Sequence, residues 1–544
     1  MSMYILRSKG DRVAASQNRI QTGAMMKTSM NRAAIYSFIF WFGCGFSGGF
    51  SRAQTRMATV SVETKTLGTR VPENFVGISL EVSTAGQGIG AFAPDATPAR
   101  SKAALAEYAL GKPDAPNKVF FRFMRNLGPG ILRLGGNSQD NTCWKPESAP
   151  HPDWCKGPIG LGDLHLFSEA AKESGWQLII GMNLKQNSPT WALDEVKEGI
   201  AKEIPPQQII GLELGNEPDL FARDGGRKEA HSAQDHVEDF LAYFKAFHHD
   251  AVGRKFALIG PATCCSWHNP ADLGLFLDGV RSVNLKLVTV HSYMLTTCGG
   301  RRVGIQELLG TELMEKFDAQ AKSLVAAARQ RNLPIALAET NSASCGGMPG
   351  VSNAFASTLW GLDSLFSGAQ DGYSGMNFHI SYRSDGSSYN PVDTYRNNDG
   401  PDAKSYENDV EPLYYAMYFF AKNVSGKYLL RTETETASNV RSYATTECAG
   451  CAVNVAMLNK DVSRSGQVQV RVANRAGTAK LLLLRAPKLE SLAADVTYGG
   501  AQFDHNADIG TPQMREVRSD AQGNFDFELP NAAIALLVVP AEKR

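Results

Sequence analysis

The chain has 544 residues, 43% of them hydrophobic and 20% charged, with 55 Lys/Arg matched by 55 Asp/Glu; that is enough to bury a large core and form two domains. The first 53 residues hold seven Lys/Arg against one Asp, so the remainder is mildly acidic. This balance argues against a nucleic-acid partner, whose phosphates call for a basic face.

The chain opens with a basic segment, and Ala33 to Phe50 form an apolar stretch that ends in Gly and Ser before Ser51-Arg-Ala53. Residues 1–53 read as a secretory signal, which places the mature chain outside the cell or in a periplasm with no stable membrane insertion after cleavage. A membrane anchor is the alternative, because the stretch is near spanning length. Phe42-Gly-Cys44 is a weaker lipoprotein site, since Trp41 stands where a small aliphatic residue belongs. Gly43-x-Gly45-x-x-Gly48 matches a dinucleotide fingerprint in letters only; it lacks the strand-turn-helix context and is rejected.

Thr59 to Val71 is strand-like and precedes everything else, so residues 54–72 are assigned as a strand that joins a later sheet. Eight apolar runs then alternate with longer helical stretches. They are Phe75 to Val82, Gly130 to Leu134, Gln177 to Asn183, Ile209 to Leu214, Phe256 to Ile259, Leu285 to His291, Pro334 to Ala338 and Ser374 to His379. Helical periodicity falls between them at Leu164 to Ser174, His236 to His249 and Thr311 to Arg331. Eight βα units predict an α/β fold, a (β/α)8 TIM barrel over 73–421 with its site at the carboxyl ends of the strands. After a helical run, Leu413 to Ala421, the alternating segments Val468 to Val472, Lys480 to Leu484 and Ala533 to Val539 predict an antiparallel β-sandwich over 422–544.

Setting aside Cys44, eight cysteines remain, an even number in an exported chain, which points to disulfides rather than metal ligands. Cys143 and Cys155 flank a Pro-rich loop and staple it. Cys448-Ala-Gly-Cys451 lies in a β-rich region, where a local clip fits better than a redox motif. Cys264, Cys265, Cys298 and Cys345 each follow a strand end and are expected to cross-link loops on one barrel face, with the pairing open. His231, His236, His248 and His249 show no His-Glu-x-x-His spacing, so a polar helix face explains them better than a metal. No metal or other cofactor is implied.

Two glutamates close two of the apolar runs: Glu217 in Ile209-Ile-Gly-Leu-Glu-Leu-Gly-Asn-Glu-Pro218, and Glu339 in Leu333-Pro-Ile-Ala-Leu-Ala-Glu339. A carboxylate at the end of a buried run is costly unless the site uses it, and a pair can divide acid/base and nucleophile work at a glycosidic bond. The strand count puts them on the fourth and seventh barrel strands. Pro218 is expected to hold Glu217 extended, and strand alternation to set Glu213, Gly215 and Glu217 on one side and Asn216 on the other unless a bulge intervenes. Glu213 reads as an interior ion-pair partner of an arginine such as Arg133.

Asn216-Glu217-Pro218 with Ala338-Glu339-Thr-Asn-Ser-Ala-Ser-Cys-Gly-Gly347 resembles the heparanase and β-glucuronidase family of retaining glycoside hydrolases. Gly77-Ile-Ser-Leu-Glu81, Leu132-Arg-Leu-Gly-Gly-Asn137 and His291-Ser-Tyr293 add to the resemblance, which covers roughly 60–544. It implies Glu217 as general acid/base, Glu339 as nucleophile, Asn216 on the sugar 2-hydroxyl and Tyr293 donating to Glu339. Glu81 and Asn137 would bind sugar hydroxyls, with cap or turn roles as their structural alternatives. A uronic acid carboxylate would be met by backbone N–H groups of Ser344-Cys345-Gly346-Gly347 and by Tyr389, although Cys345 departs from the family's glycine. The implied substrate is a uronic-acid-containing glycan or glycoside, cleaved at β-linked glucuronic acid by double displacement. The alternatives are another retaining barrel glycosidase, of β-xylosidase or β-glucosidase type, and a catalytically silent carbohydrate-binding protein.

Overall fold

The computed structural model describes residues 56–83, 90–91, 115–144, 154–155, 157–222, 231–381, 387–396 and 406–542. The leader segment with Cys44 lies outside them. Eight strands close into a parallel barrel: Val76–Glu81, Ile131–Gly135, Gln177–Met182, Ile209–Leu214, Leu258–Thr263, Val288–Ser292, Ile335–Thr340 and Met376–Ile380, first to eighth. These are the eight predicted runs with ends moved by a few residues. They read as continuous apolar stretches because helices cover one side and the barrel interior the other, so nearly every position is buried.

The helices between them obey ordinary terminal chemistry. Ala233–His249 begins at Ser232, whose hydroxyl accepts from the Asp235 N–H while Asp235 accepts from the Ser232 N–H, a reciprocal cap. Its periodic face is not the polar one expected at its start. His231 and His236 are buried, and His236 stacks on Phe276 at 5.0 Å, whereas His248 and His249 stay exposed.

The C-terminal region forms two antiparallel-rich sheets. One has Tyr428–Leu430, Val440–Thr446, Val453–Asn459, Ala533–Val539, Thr478–Arg485 and Thr497–Tyr498 in order, with Arg515–Arg518 also on Thr478–Arg485. The other has Thr432–Thr436, Ala58–Val62, Gly466–Val472 and Asn524–Leu529. The N-terminal strand therefore lies inside the second sheet, antiparallel to Thr432–Thr436 and parallel to Gly466–Val472. It is shorter than the strand-like stretch suggested, because the chain leaves the sheet after Val62.

Barrel and sandwich are joined by a buried charge cluster. Lys460 Nζ lies 2.6 Å from Asp363 Oδ2, Arg441 Nε lies 3.3 Å from Asp363 Oδ1, and the Tyr443 hydroxyl donates to the same carboxylate. Burial alone would raise the Asp363 carboxyl, but Lys460 and Arg441 outweigh it and keep it ionised. Removing one partner of such a pair strands a desolvated charge. Asp363→Ala is expected to destabilise the protein by about 3–5 kcal/mol, whereas Asp363→Leu with Lys460→Met should cost less. Chemical denaturation of the three proteins checks this, and a double variant weaker than the single would refute it.

Candidate active site

The predicted site residues converge at the carboxyl end of the barrel. At its centre is Arg133 of the second strand, which has no solvent exposure. Its guanidinium donates to Glu213 at 2.6 Å, to Glu339 at 2.8 Å, to the Asn216 side-chain oxygen at 2.9 Å and to the Ser79 hydroxyl at 3.0 Å. Four acceptors around one planar, always charged group explain how two carboxylates can be buried side by side. The expected Arg133–Glu213 pair is present; the reach of the same arginine to Glu339 was not anticipated.

Glu217 departs from expectation. It is left-handed, φ 48° and ψ 54°, rather than extended, and caps a short 3-10 turn, Pro218–Leu220. A following proline disfavours right-handed helical backbone but does not choose among the other regions. The choice is made by the Glu217 N–H, which donates to the Ala262 carbonyl at 2.9 Å on the neighbouring strand end. Gly215, at φ 77°, also breaks the alternation, so Glu213 and Asn216 share Arg133 instead of facing apart. Asp140 fixes this turn by accepting the Asn216 N–H at 2.8 Å and those of Leu184 and Lys185.

The two site glutamates sit in opposite electrostatic surroundings. Burial first, and then the charges of Glu339 and Asp219, push the Glu217 carboxyl up to about 8. Burial also works to raise Glu339, but there the positive charge of His379, then of His291 at the low pH where Glu339 titrates, and of Arg133, with the hydrogen bond from Tyr293, win, and it is held down at about 2. Tyr293 donates to Glu339 Oε1 at 2.9 Å. His291 Nδ1 lies 3.1 Å from Glu217 Oε1, and burial pushes its ring down to about 4, so it is neutral at pH 7. One atom each of Glu217, His291 and Glu339 falls within a sphere where all separations are under 4.8 Å.

Glu81 accepts the N–H groups of Asn137 at 3.1 Å and Ser138 at 2.7 Å, and its Oε1 lies 3.6 Å from His379 Nε2. This is the turn role left open for Glu81. It explains the glycine before Asn137: a Cβ on Gly136 would fall 2.5 Å from the Glu81 carboxyl, and its φ of 74° favours glycine. Asn137 is exposed, with its side-chain oxygen 3.5 Å from the Asn216 amide nitrogen.

Cys345, Gly346 and Gly347 have successive φ values of 64°, 87° and 78°, and among the described residues their N–H groups have no partner. Consecutive N–H groups in such a run form a concave anion nest. Cys345 is bonded to Cys298, and beside it the Thr297 N–H donates to the Ser344 carbonyl and the Ser344 N–H to the Leu295 carbonyl, so the loop is pinned to the segment after the sixth strand. Tyr389 is buried with its ring 6.2 Å from His379, and the Gly346 carbonyl accepts from Ser388 at 2.6 Å. The remaining pairs are Cys143–Cys155, Cys448–Cys451 and Cys264–Cys265; the last joins chain neighbours instead of two loops.

Sequence reasoning passed over Asp140, His291 and His379 as site residues. His291 and His379 each end a predicted strand, as Glu339 does, and that shared position was the signal.

No family model matches the chain. It is 27% identical over 320 residues to a β-glucuronidase of Aspergillus niger, covering 51% of this chain and 56% of that protein. It is 25% identical over 341 residues to a β-glucuronidase of Neurospora crassa, covering 56% and 60%. The alignments thus span less than two thirds of the curated relatives. In structure, the chain is similar to a 4-O-α-L-rhamnosyl-β-D-glucuronidase from Fusarium oxysporum, with TM-score 0.68, 18% identity, and 88% of this chain and 100% of that one covered. An arabinofuranosidase of family 51 from Xanthomonas axonopodis pv. citri gives 0.64 at 14% identity, over 89% and 100%. The structural likenesses show a shared barrel-plus-sandwich fold, and the sequence matches show that about half of this chain is similar to two β-glucuronidases.

Proposed function

We propose that the protein is a retaining glycoside hydrolase that releases β-linked glucuronic acid from glycans or glycosides. The observation that carries this reading is the close approach of Glu217 and Glu339, one carboxylate oxygen of each within 4.8 Å of the other, with their proton affinities driven apart. Retaining enzymes hold their carboxyls about 5–5.5 Å apart, too close for a water between them and the sugar. Glu339, ionised, attacks the anomeric carbon as the glycosidic C–O bond breaks, and Glu217, protonated, gives its proton to the leaving oxygen. Forming the ester removes the charge of Glu339, one of the causes that raise Glu217. Glu217 then becomes the base that takes a proton from water, which attacks the same carbon and frees Glu339. Asn216, oriented by Arg133 and with one amide N–H directed at Asn137, keeps the other for the sugar 2-hydroxyl.

The pH dependence follows with its sign. Cleavage needs Glu217 protonated and Glu339 ionised, so kcat/KM on a poor leaving group should fall as pH rises through about 8, while the acid limb lies far lower. A glycosyl fluoride, which needs no proton, should lose the basic limb; a profile identical for both substrates would remove Glu217 from the acid role.

The nest at Cys345 to Gly347 and the Tyr389 hydroxyl supply donors for a uronate. Such charge-assisted bonds are roughly 1.5–3 kcal/mol each, so two or three favour a glucuronide over the matching glucoside by about a hundredfold or more. The test is kcat/KM on matched aryl β-glucuronide, β-glucoside and β-xyloside, in wild type and Tyr389→Phe. Preference for glucoside or xyloside would overturn the substrate reading; an unchanged ratio in Tyr389→Phe would move the carboxylate site elsewhere. Four disulfides fit an exported enzyme, secreted or periplasmic, and among the described residues no helix is long and apolar enough to cross a membrane.

A further inference from the structure

Three of the four disulfides enclose chain, with separations of 12, 47 and 3 residues. The fourth, Cys264–Cys265, has a separation of 1 and closes no loop. In the chain-entropy account a cross-link stabilises by restricting the segment it encloses, so this one gains almost nothing that way. What it does is fuse two neighbouring side chains into one rigid surface.

Its position is fixed with respect to the acid/base. The pair directly follows the fifth barrel strand, Leu258–Thr263, and the Glu217 N–H is bonded to Ala262 on that strand. Asp219, two residues past Glu217, gathers the loop: its carboxylate accepts the N–H groups of Cys264 at 3.3 Å, Cys265 at 2.8 Å, Ser266 at 2.7 Å and Trp267 at 3.4 Å. The same carboxylate is close enough to Glu217 to raise its proton affinity. Cys264 is half-buried and Cys265 exposed at the rim.

Apart from Asn216 beside Glu217, the groups assigned to the sugar come from the other arc of the barrel: Asn137 after the second strand, the nest and Tyr389 after the seventh and eighth. Glu217 must reach the oxygen between the sugar and what leaves. The leaving group therefore lies toward the arc that carries the fifth strand. We propose that the Cys264–Cys265 disulfide is a wall of the leaving-group subsite, receiving the flat apolar face of an aromatic aglycone or of the next pyranose ring. Two polarisable sulfurs with no strong hydrogen-bond demand, held against rotation, suit such a face. The inference rests on the glycosidase reading above, but not on uronate preference.

The test is Cys264→Ala with Cys265→Ala, assayed with the glycone that wild type prefers. The glycosyl fluoride, which has no aglycone, reports an intact sugar site and should change less than about twofold, while kcat/KM for an aryl glycoside or a disaccharide should fall about tenfold or more. The arm that falls further identifies the source of the face. Equal loss on fluoride and aryl substrates, or no loss on either aglycone, overturns the proposal. In wild type, a non-hydrolysable aryl thioglycoside should protect the pair from reduction by a small thiol, read by alkylation and mass spectrometry, where the free sugar does not. Equal protection by both, or by neither, would also overturn it. Wild-type preference for glucoside would strike the uronate reading and leave this subsite standing.

Discussion

Glu339→Gln is expected to abolish turnover, lowering kcat by about four orders of magnitude or more, about 5 kcal/mol of activation barrier, since an amide cannot form the glycosyl ester. Folding should survive better than activity. The amide oxygen can still accept from Arg133, which donates at 2.8 Å in the wild type, while the amide nitrogen can donate to the Tyr293 hydroxyl, which in the wild type donates to the carboxylate at 2.9 Å. Glu213 remains to neutralise Arg133 at 2.6 Å. The decisive measurement uses a 2-fluoro glycoside on the wild-type enzyme, with peptide mass spectrometry to find the ester. A label on any carboxylate other than Glu339 would overturn the assignment.

Glu217→Ala should separate substrates by leaving group. Proton transfer contributes about 10²–10⁴-fold, so hydrolysis of unactivated glycosides is expected to fall by that much, while activated aryl glycosides keep a fast first step. The ester would then accumulate, because no base activates water. Azide, which needs no base, should restore turnover and yield a β-glycosyl azide. Equal loss on both substrate types with no azide product would count against Glu217. The variant also leaves His291 without its neighbour at 3.1 Å, so unchanged thermal unfolding is the needed control.

The barrel was legible because a strand buried on both faces writes itself as an uninterrupted apolar run, and each glutamate stood out as a charge at the end of one. Alternation failed where backbone left the strand. Gly215 and Glu217 both take positive φ, and nothing in Gly-Asn-Glu-Pro says that a carbonyl on the next strand will claim the Glu217 N–H. Arg133 was legible as a partner for Glu213 because both fall in predicted barrel strands. Its second carboxylate, Glu339, is 206 positions away, a distance that only barrel closure spans. His231 and His236 were misread as part of a polar face because their neighbours, Trp267 and Phe276, come from a different βα unit. Cysteine pairing was beyond spacing arguments for the same reason, except where the loop between two cysteines was short.

The N-terminal strand has a consequence for how the protein comes into being. Ala58–Val62 is among the first structured segments to be synthesised, yet its partners are among the last: Thr436 meets the Met57 carbonyl across 379 positions of chain. Contacts of such long range close slowly, and until they form the two flanking strands present open edges to other chains. The barrel can condense from neighbouring βα units while this strand waits. The C-terminal sheets are therefore not a module that can be cut away at the end of the barrel, since such a fragment would lack an interior strand.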